Sequence, residues 1–170
     1  PPAIIIVGET VKLEKRFDWL KKTRRILFTG LSKERYFIKG ERYFHLPLIK
    51  IEPMGDYSEF DNHLKNINYF DWIVFSSRYG VEYFFKRLNI IGKDARALSG
   101  LKVAAIGSST KAHLLSYGIL ADLVPKKESS TGLLEEFGRI DLRGKRIFLP
   151  RSDISDKNLS DGFEKLGADV

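Results

Sequence analysis

The second half of the chain repeats one pattern three times: a short unbroken apolar run, a turn rich in hydroxyl groups, and a stretch with apolar residues at helical spacing. The copies are WIVFSSRYGVEYFFKRL from Trp72, LKVAAIGSSTKAHLLSYG from Leu101 and KRIFLPRSDISDKNLSDGFEKLG from Lys145. An apolar run without polar alternation suits a strand buried on both faces, and the helix after it supplies the cover. The predicted helix stripes are Val81, Phe84, Phe85 and Leu88; Ala112 and Leu115; and Leu159, Phe163 and Leu166. Between the second and third copies, ADLVPKKESSTGLLEEFGRI predicts a strand around Leu123 and a helix lined by Leu133, Leu134, Phe137 and Ile140. Strands and helices alternating at this length predict a parallel α/β sheet flanked by helices on both faces.

The first third is less regular. Ile4 to Val7 reads as a strand, followed by a helix carrying Leu13, Phe17 and Leu20 at i, i+4, i+7. RILFTG, Arg25 to Gly30, reads as a second strand with a turn at its end. LSKERYFIKGERYFHLP is too charged and broken for a long core helix, so one short helix or turn is expected there. LPLIKIEP carries prolines at both ends of its best stretch, which makes it an edge strand or a connection. Within it Lys50 and Glu52 alternate with Ile49 and Ile51, the pattern of one wet face. Ser58 then stands where it can cap a helix bearing Phe60, Leu64 and Ile67 on one stripe.

Composition narrows the function classes. With 170 residues and 43% hydrophobic content, the chain can bury a proper core. It has no cysteine, which removes disulfides, thiol nucleophiles and thiolate zinc sites. No apolar stretch reaches the roughly 20 residues of a membrane span, and no signal-peptide pattern opens the chain, so a cytoplasmic location is expected. Pro1 opens directly before an apolar run, and Val170 falls just as LGADV starts another strand. Both ends are therefore expected to be cut from something longer. The net charge of +7 is uneven: residues 1–50 hold 12 Lys or Arg against 5 Asp or Glu, and the remainder is balanced. The basic run Lys21 to Arg25 admits two readings, a solvated connection between domains or a patch for anions and nucleic acid.

The chemistry is expected on the turns, because open parallel sheets bind ligands beyond the carboxyl ends of their strands. In Gly107 to Thr110, GSST, a glycine ends a strand and three hydroxyl residues open a helix. Exposed N–H groups and the positive helix end favour a carboxylate or phosphate there, while simple N-capping by Ser108 or Ser109 explains the same residues. Ser76 and Ser77 leave the first strand together, with Gly80 one turn later; ligand hydrogen bonding and helix capping are both open. Neither a GxSxG elbow nor a suitably spaced histidine is present, which argues against a serine hydrolase. Arg151 to Asp153 follow Pro150 on a third turn, where Arg151 suits a bidentate carboxylate contact and Asp153 a local cap. His45, His63 and His113 show no metal-ligand spacing, and no glycine-rich phosphate fingerprint occurs.

At these turns the sequence resembles the uroporphyrinogen-III synthases of tetrapyrrole biosynthesis. The resemblance rests on PLIKIEP, DWIVFSSRYGV, VAAIGSSTKAHL with YGI and ADLVP after it, SSTGLLE, and GKRIFLPRSDIS ending in LGADV, all in order over about residues 24–170. The opening PPAIIIVGETVKLEKRFDWL is similar to the carboxyl-terminal strand and helix of uroporphyrinogen-III methyltransferase, which some bacteria fuse to the synthase. The resemblance implies residues 1–23 as methyltransferase tail and linker, 24–46 as the first part of one synthase lobe, and 47–170 as the other lobe, flavodoxin-like in build.

The implied reaction takes hydroxymethylbilane, a linear tetrapyrrole with eight carboxylates, and needs neither metal nor organic cofactor. Its hydroxyl leaves as water to give an azafulvene. Ring D is then attacked at its substituted carbon, a spiro intermediate fragments, and reclosure with ring D inverted gives uroporphyrinogen III. By the resemblance, Ser76, Ser77, Gly80, Gly107, Ser108, Ser109 and Thr110 would line the cleft, with Arg151 and Ser152 nearer the hinge. No single side chain is assigned as a general acid. One departure stands out: the family's first strand usually ends in Thr-Arg, whereas here Gly30 follows Thr29, so either Arg35 or Lys33 supplies that contact or this lobe binds more weakly. The main competitor is a non-catalytic, anion-binding flavodoxin-like domain using the same turns. Nucleic-acid binding through Lys21 to Arg25 ranks last, because the remainder of the chain is charge-balanced.

Overall fold

The structure, a computed structural model, describes residues 25–31 and 42–170. The chain divides into two compact units, Pro1–Pro53 and Met54–Val170. The Ile4 to Val7 strand and its helix, most of the basic run, Lys33 and Arg35 lie outside the described residues.

In the first unit, β1 (Arg25–Phe28) pairs in parallel with β2 (Arg42–His45). His45 donates from Nε2 to the Gly30 carbonyl at 2.8 Å, and its ring stacks on Phe28. β2 occupies the end of the segment for which a short helix or turn is expected; residues 32–41 of that segment lie outside the described residues. Tyr43 and Phe44 favour extended backbone, and the charges that break a helical pattern do not break this one, since the Arg42 side is exposed. LPLIKIEP is a connection rather than an edge strand. Leu48, Ile49, Lys50 and Glu52 are all exposed, so the expected wet and dry faces are absent.

In the second unit, the central strand β3 (Trp72–Phe75) pairs in parallel with β4 (Lys102–Ala105) on one side and β5 (Ile147–Phe148) on the other. Single parallel bridges, Ala104 to Leu123 and Arg146 to Asp169, add a strand position at each edge. The order across the sheet is therefore Leu123, β4, β3, β5, Asp169. The chain starts at the centre, moves outward through β4 to Leu123, then crosses to the opposite side for β5. That reversal between β3 and β5 is a topological switch point, where parallel sheets open a crevice. The Leu123 and β5 segments are short because Pro125 and Pro150 follow within two residues and donate no N–H to a ladder.

Every residue of β3 is buried, and alternate side chains serve two separate cores. Ile73 and Phe75 face a cluster containing Leu64, Val81, Phe84, Phe85, Leu88, Val103, Leu114 and Phe148. Trp72 and Val74 face Leu133, Phe137, Leu142, Ile147, Leu159 and Phe163. The first cluster is covered by α1 (Ser58–Lys65), α2 (Arg78–Ile90) and α3 (Ser108–Leu115); the second by α4 (Ser130–Phe137) and α5 (Asn158–Lys165). This is the two-faced parallel α/β build that the apolar runs predict.

Details of the helices differ from expectation. Ser58 is the first residue of α1 and not its cap; Asp56 Oδ1 accepts from the Ser58 N–H at 2.8 Å instead. At the other end of α1, Lys93 Nζ donates to the carbonyls of Leu64 and Lys65, satisfying groups that a helix end leaves open. A two-pronged contact from Arg87 to the Asp61 carboxylate ties α2 to α1. In α3 the expected stripe, Ala112 and Leu115, is exposed, and Thr110 and Leu114 point inward. The true stripe, Thr110, Leu114 and Tyr117, has helical spacing too, but its first member is polar. Leu133 and Phe137 of the α4 stripe are buried, while Ile140, past the helix end, is exposed.

Phe84 touches Phe60, Phe75, Phe85 and Phe148 edge-on or tilted, so it joins α1, α2 and two strands. Phe84→Ala is expected to lower unfolding free energy by roughly 3–5 kcal/mol. Urea unfolding followed by circular dichroism checks this; a midpoint shift no larger than that of an exposed-site control would contradict it.

Candidate functional site

Because the strands of the second unit run parallel, their carboxyl ends share one edge, and contacts fix which turns are neighbours. Ile106 donates to the Phe75 carbonyl at 3.0 Å, which sets the start of the GSST turn beside Ser76. A Cβ on Gly80 would lie 3.4 Å from the Pro150 carbonyl oxygen, so the first turn of α2 touches the exit of β5. The Ser108 N–H donates to Glu128 Oε1 at 2.9 Å, joining GSST to the loop before α4. Along the rim the order is therefore Glu128 to Gly132, Gly107 to Ser109, Ser76 to Gly80, and Pro150 to Ser152.

The hydroxyl groups have unequal jobs. Ser77 caps α2, its Oγ accepting from the Gly80 N–H at 2.9 Å, and Ser129 caps α4 by the same contact with Gly132 at 3.1 Å. Ser76 is half-buried beside Ser77. Gly107, not a serine, is the N-cap of α3, and no side chain of its own helix caps it. Ser108 is exposed, Ser109 half-buried, and Thr110 is 3% exposed. Thr110 is thereby removed from the exposed rim, because the helix turns it toward the core.

The anion that GSST invites is already present. Glu128 places its carboxylate against Gly107, where an added Cβ would stand 2.5 Å from Glu128 Oε2. The Ser108 N–H, then the Ser108 hydroxyl, hold the Glu128 carboxyl below the ordinary glutamate range. Cations surround the rim: Arg78, whose guanidinium lies over Tyr79 and donates to its hydroxyl at 2.7 Å, Lys111 in the first turn of α3, and Lys126 and Lys127 beside Glu128.

Past the β5 exit lies a cavity of about 450 Å³. Its apolar side is built from Phe70 stacked on Phe148, with His63 tilted against both. Its polar side holds Arg151, Ser152, Ser155, Lys157 and Ser160, together with Asp156 and Asp169. Arg151 Nη1 donates to the Asp156 carbonyl at 2.7 Å, which braces the guanidinium from behind. Its Nε is buried with no partner among the described residues, leaving a donor in hand. Ser152 is exposed and shares a hydrogen bond with Ser155 at 3.0 Å. Asp153 accepts from the adjacent Ile154 N–H, a local contact.

Two parts of this arrangement escaped sequence reasoning. Glu128 lies 20 positions from Ser108, and only the sheet order makes them neighbours. His63 and Phe70 come from the segment before β3, where Phe60, Leu64 and Ile67 read as a core stripe and His63 shows no metal-ligand spacing. Chemically the rim offers backbone N–H groups, hydroxyls and cations, groups suited to holding anions. Among the described residues no group of three side chains could hold a metal ion.

The family model described as Uroporphyrinogen-III synthase HemD matches residues 34–170. The chain belongs to that family. It is 30% identical over 151 residues to the Porphyrin biosynthesis protein HemD of Ruminiclostridium josui, covering 81% of this chain and 30% of the relative. A solved mutant uroporphyrinogen III synthase from the extremely thermophilic bacterium Thermus thermophilus superimposes with a TM-score of 0.64 at 18% identity, over 86% of this chain and 59% of that one. A further Thermus thermophilus uroporphyrinogen III synthase structure gives a TM-score of 0.56 at 19% identity, over 87% and 60% respectively. These likenesses establish the synthase fold. The chain spans less than two thirds of each of these relatives.

Two outcomes follow from the caps. Ser77→Ala is expected to destabilise the domain by about 1 kcal/mol, the cost of a lost N-cap, read as a shift in urea midpoint. The lowered Glu128 carboxyl gives stability that is present above the ordinary glutamate value and lost as pH falls through the depressed folded value. Glu128→Gln is therefore expected to flatten part of the acid loss of stability; an unchanged acid profile would show that the contact does not hold in solution.

Proposed function

We propose that this chain is the synthase region of a tetrapyrrole-biosynthesis enzyme that cyclises hydroxymethylbilane to uroporphyrinogen III, with water lost and ring D inverted. The observation that carries the reading is the convergence of four turns on one rim with an aromatic-walled cavity at its end. A linear polycarboxylate needs many weak anion contacts spread over a long edge, and such a rim supplies them.

The division of labour follows from the geometry. N–H groups at the starts of α2 and α4, the Ser76 and Ser109 hydroxyls, and Arg78 stand where carboxylates can be held without competing acid–base chemistry. Arg151, braced by Asp156, lines the same cavity as the Phe70 and Phe148 rings, a setting suited to a pyrrole carrying a carboxylate. Fixing the side chains of the tetrapyrrole restricts its conformations and shortens the search for the ring-closing geometry. The pyrroles supply the electrons, so the protein's task is to orient the chain and shelter the azafulvene cation from water.

The parent protein is further proposed to carry uroporphyrinogen-III methyltransferase activity, dependent on S-adenosylmethionine, ahead of this region. Support comes from the opening PPAIIIVGETVKLEKRFDWL and from the length of the Ruminiclostridium josui relative, of which the matched stretch is 30%. The cytoplasm is the proposed location; among the described residues no helix is long and apolar enough to cross a membrane.

The test is the conversion of hydroxymethylbilane by the full-length parent. Arg151→Ala is expected to raise KM about tenfold or more, the loss of one charge-assisted contact. Tight tetrapyrrole binding with no cyclisation by the unmutated parent would favour the anion-binding alternative. The isolated 170 residues are expected to be inactive or nearly so, and full-length rates of uroporphyrinogen III formation from them would refute the division of the site.

A further inference from the structure

The cavity beyond β5 is small, walled on one side by aromatic rings and lined by charges of both signs. Its volume, about 450 Å³, lies in the lower part of the roughly 300–1,000 Å³ range of small-molecule pockets, room for one ring with its arms and not for four linked rings. Phe70 and Phe148, stacked with centroids 5.0 Å apart, and the tilted His63 ring supply flat apolar faces. Arg151 is short of acceptors. Its Nη1 donates to the Asp156 carbonyl, but Nε has no partner and Nη2 comes only within 3.7 Å of Asp156 Oδ1, too far for a hydrogen bond. That Asp156 oxygen is already committed to the start of α5, where it accepts from the Asn158 N–H at 3.1 Å. The Lys157 ammonium and the Asp169 carboxylate also line the cavity, and neither joins a salt bridge among the described residues. Lys157 is the N-cap residue of α5 and makes no side-chain cap, at a helix end where a cation is unfavourable.

We propose that this cavity receives a single pyrrole ring carrying two acid arms: Arg151 Nη2 holds one arm, the Lys157 ammonium holds the other, and Asp169 accepts from the ring N–H. A pyrrole answers both signs of charge, because it donates at nitrogen and accepts at its arms. An aliphatic dicarboxylate answers only the cations and leaves the aromatic wall uncovered. A carboxylate brought beside Lys157 also offsets the cation that the start of α5 disfavours. That the ring is one end of hydroxymethylbilane rests on the synthase reading, in which eight carboxylates on four rings give each ring two arms. The preference for a two-armed pyrrole does not rest on it.

The test is calorimetric titration of the full-length parent with three probes: a pyrrole bearing two adjacent acetate arms, its one-armed analogue, and a benzene bearing the same two arms. The two-armed pyrrole is expected to bind about tenfold or more tightly than either other probe, each of which lacks one charge-assisted contact. Lys157→Met is expected to abolish its advantage over the one-armed pyrrole. Lys157 is exposed and carries the disfavoured charge for its helix end, so this variant keeps the fold. The proposal is overturned by an absence of saturable binding, by either other probe matching the two-armed pyrrole, or by an advantage that survives Lys157→Met. A parent that shows this selectivity without cyclising hydroxymethylbilane would sink the synthase reading and support the pocket. A parent that cyclises without the selectivity would sink the pocket alone.

Discussion

The structure depends on burying both faces of one short strand. β3 has four residues, none exposed, and its alternate side chains enter two separate cores, as those of β4 and β5 do on either side of it. A strand so placed must be apolar at every position and must receive helices on both sides. The parallel direction of its neighbours follows from the crossover helices that supply this cover. That direction in turn gathers the turns at one edge. Packing and site are consequences of the same constraint.

On the proposed reading, one set of rim groups serves stability and recognition together. Ser77 and Ser129 close their own helices, and Glu128 closes the next one, so the N–H groups suited to anions are partly satisfied from within. Orphan amides at helix starts would otherwise face solvent alone. Satisfying these amides from within helps to keep the rim ordered. Arg151 is treated similarly: Asp156 holds one end of its guanidinium, and the Nε donor stays free among the described residues.

Legibility of the site follows chain distance. Contacts within a few residues, such as Ser77 with Gly80 or Asp153 with Ile154, are readable as capping alternatives from the residue types alone. Whether GSST holds a ligand or a cap cannot be decided locally, because the answer is a third group, 20 positions away. Thr110 departs from expectation for a different reason. A hydroxyl residue at a helix start looks like part of a turn, yet helical rotation carries the third residue of α3 inward. β2 escapes sequence reading because strand formation there depends on pairing with β1, and its charged sequence carries little signal of its own.

The amino-acid sequence by itself determined the apolar runs, the helix stripes of α2 and α5, the positions of the turns, and the family. These depend on short-range periodicity and on residue types, which a linear chain carries in full. Tertiary structure alone decided the order of the strands, hence which turns touch, which hydroxyls stay on the surface, and that the carboxylate at α3 is Glu128. Such facts depend on how the crossovers route each strand across the sheet, and no single segment encodes that route.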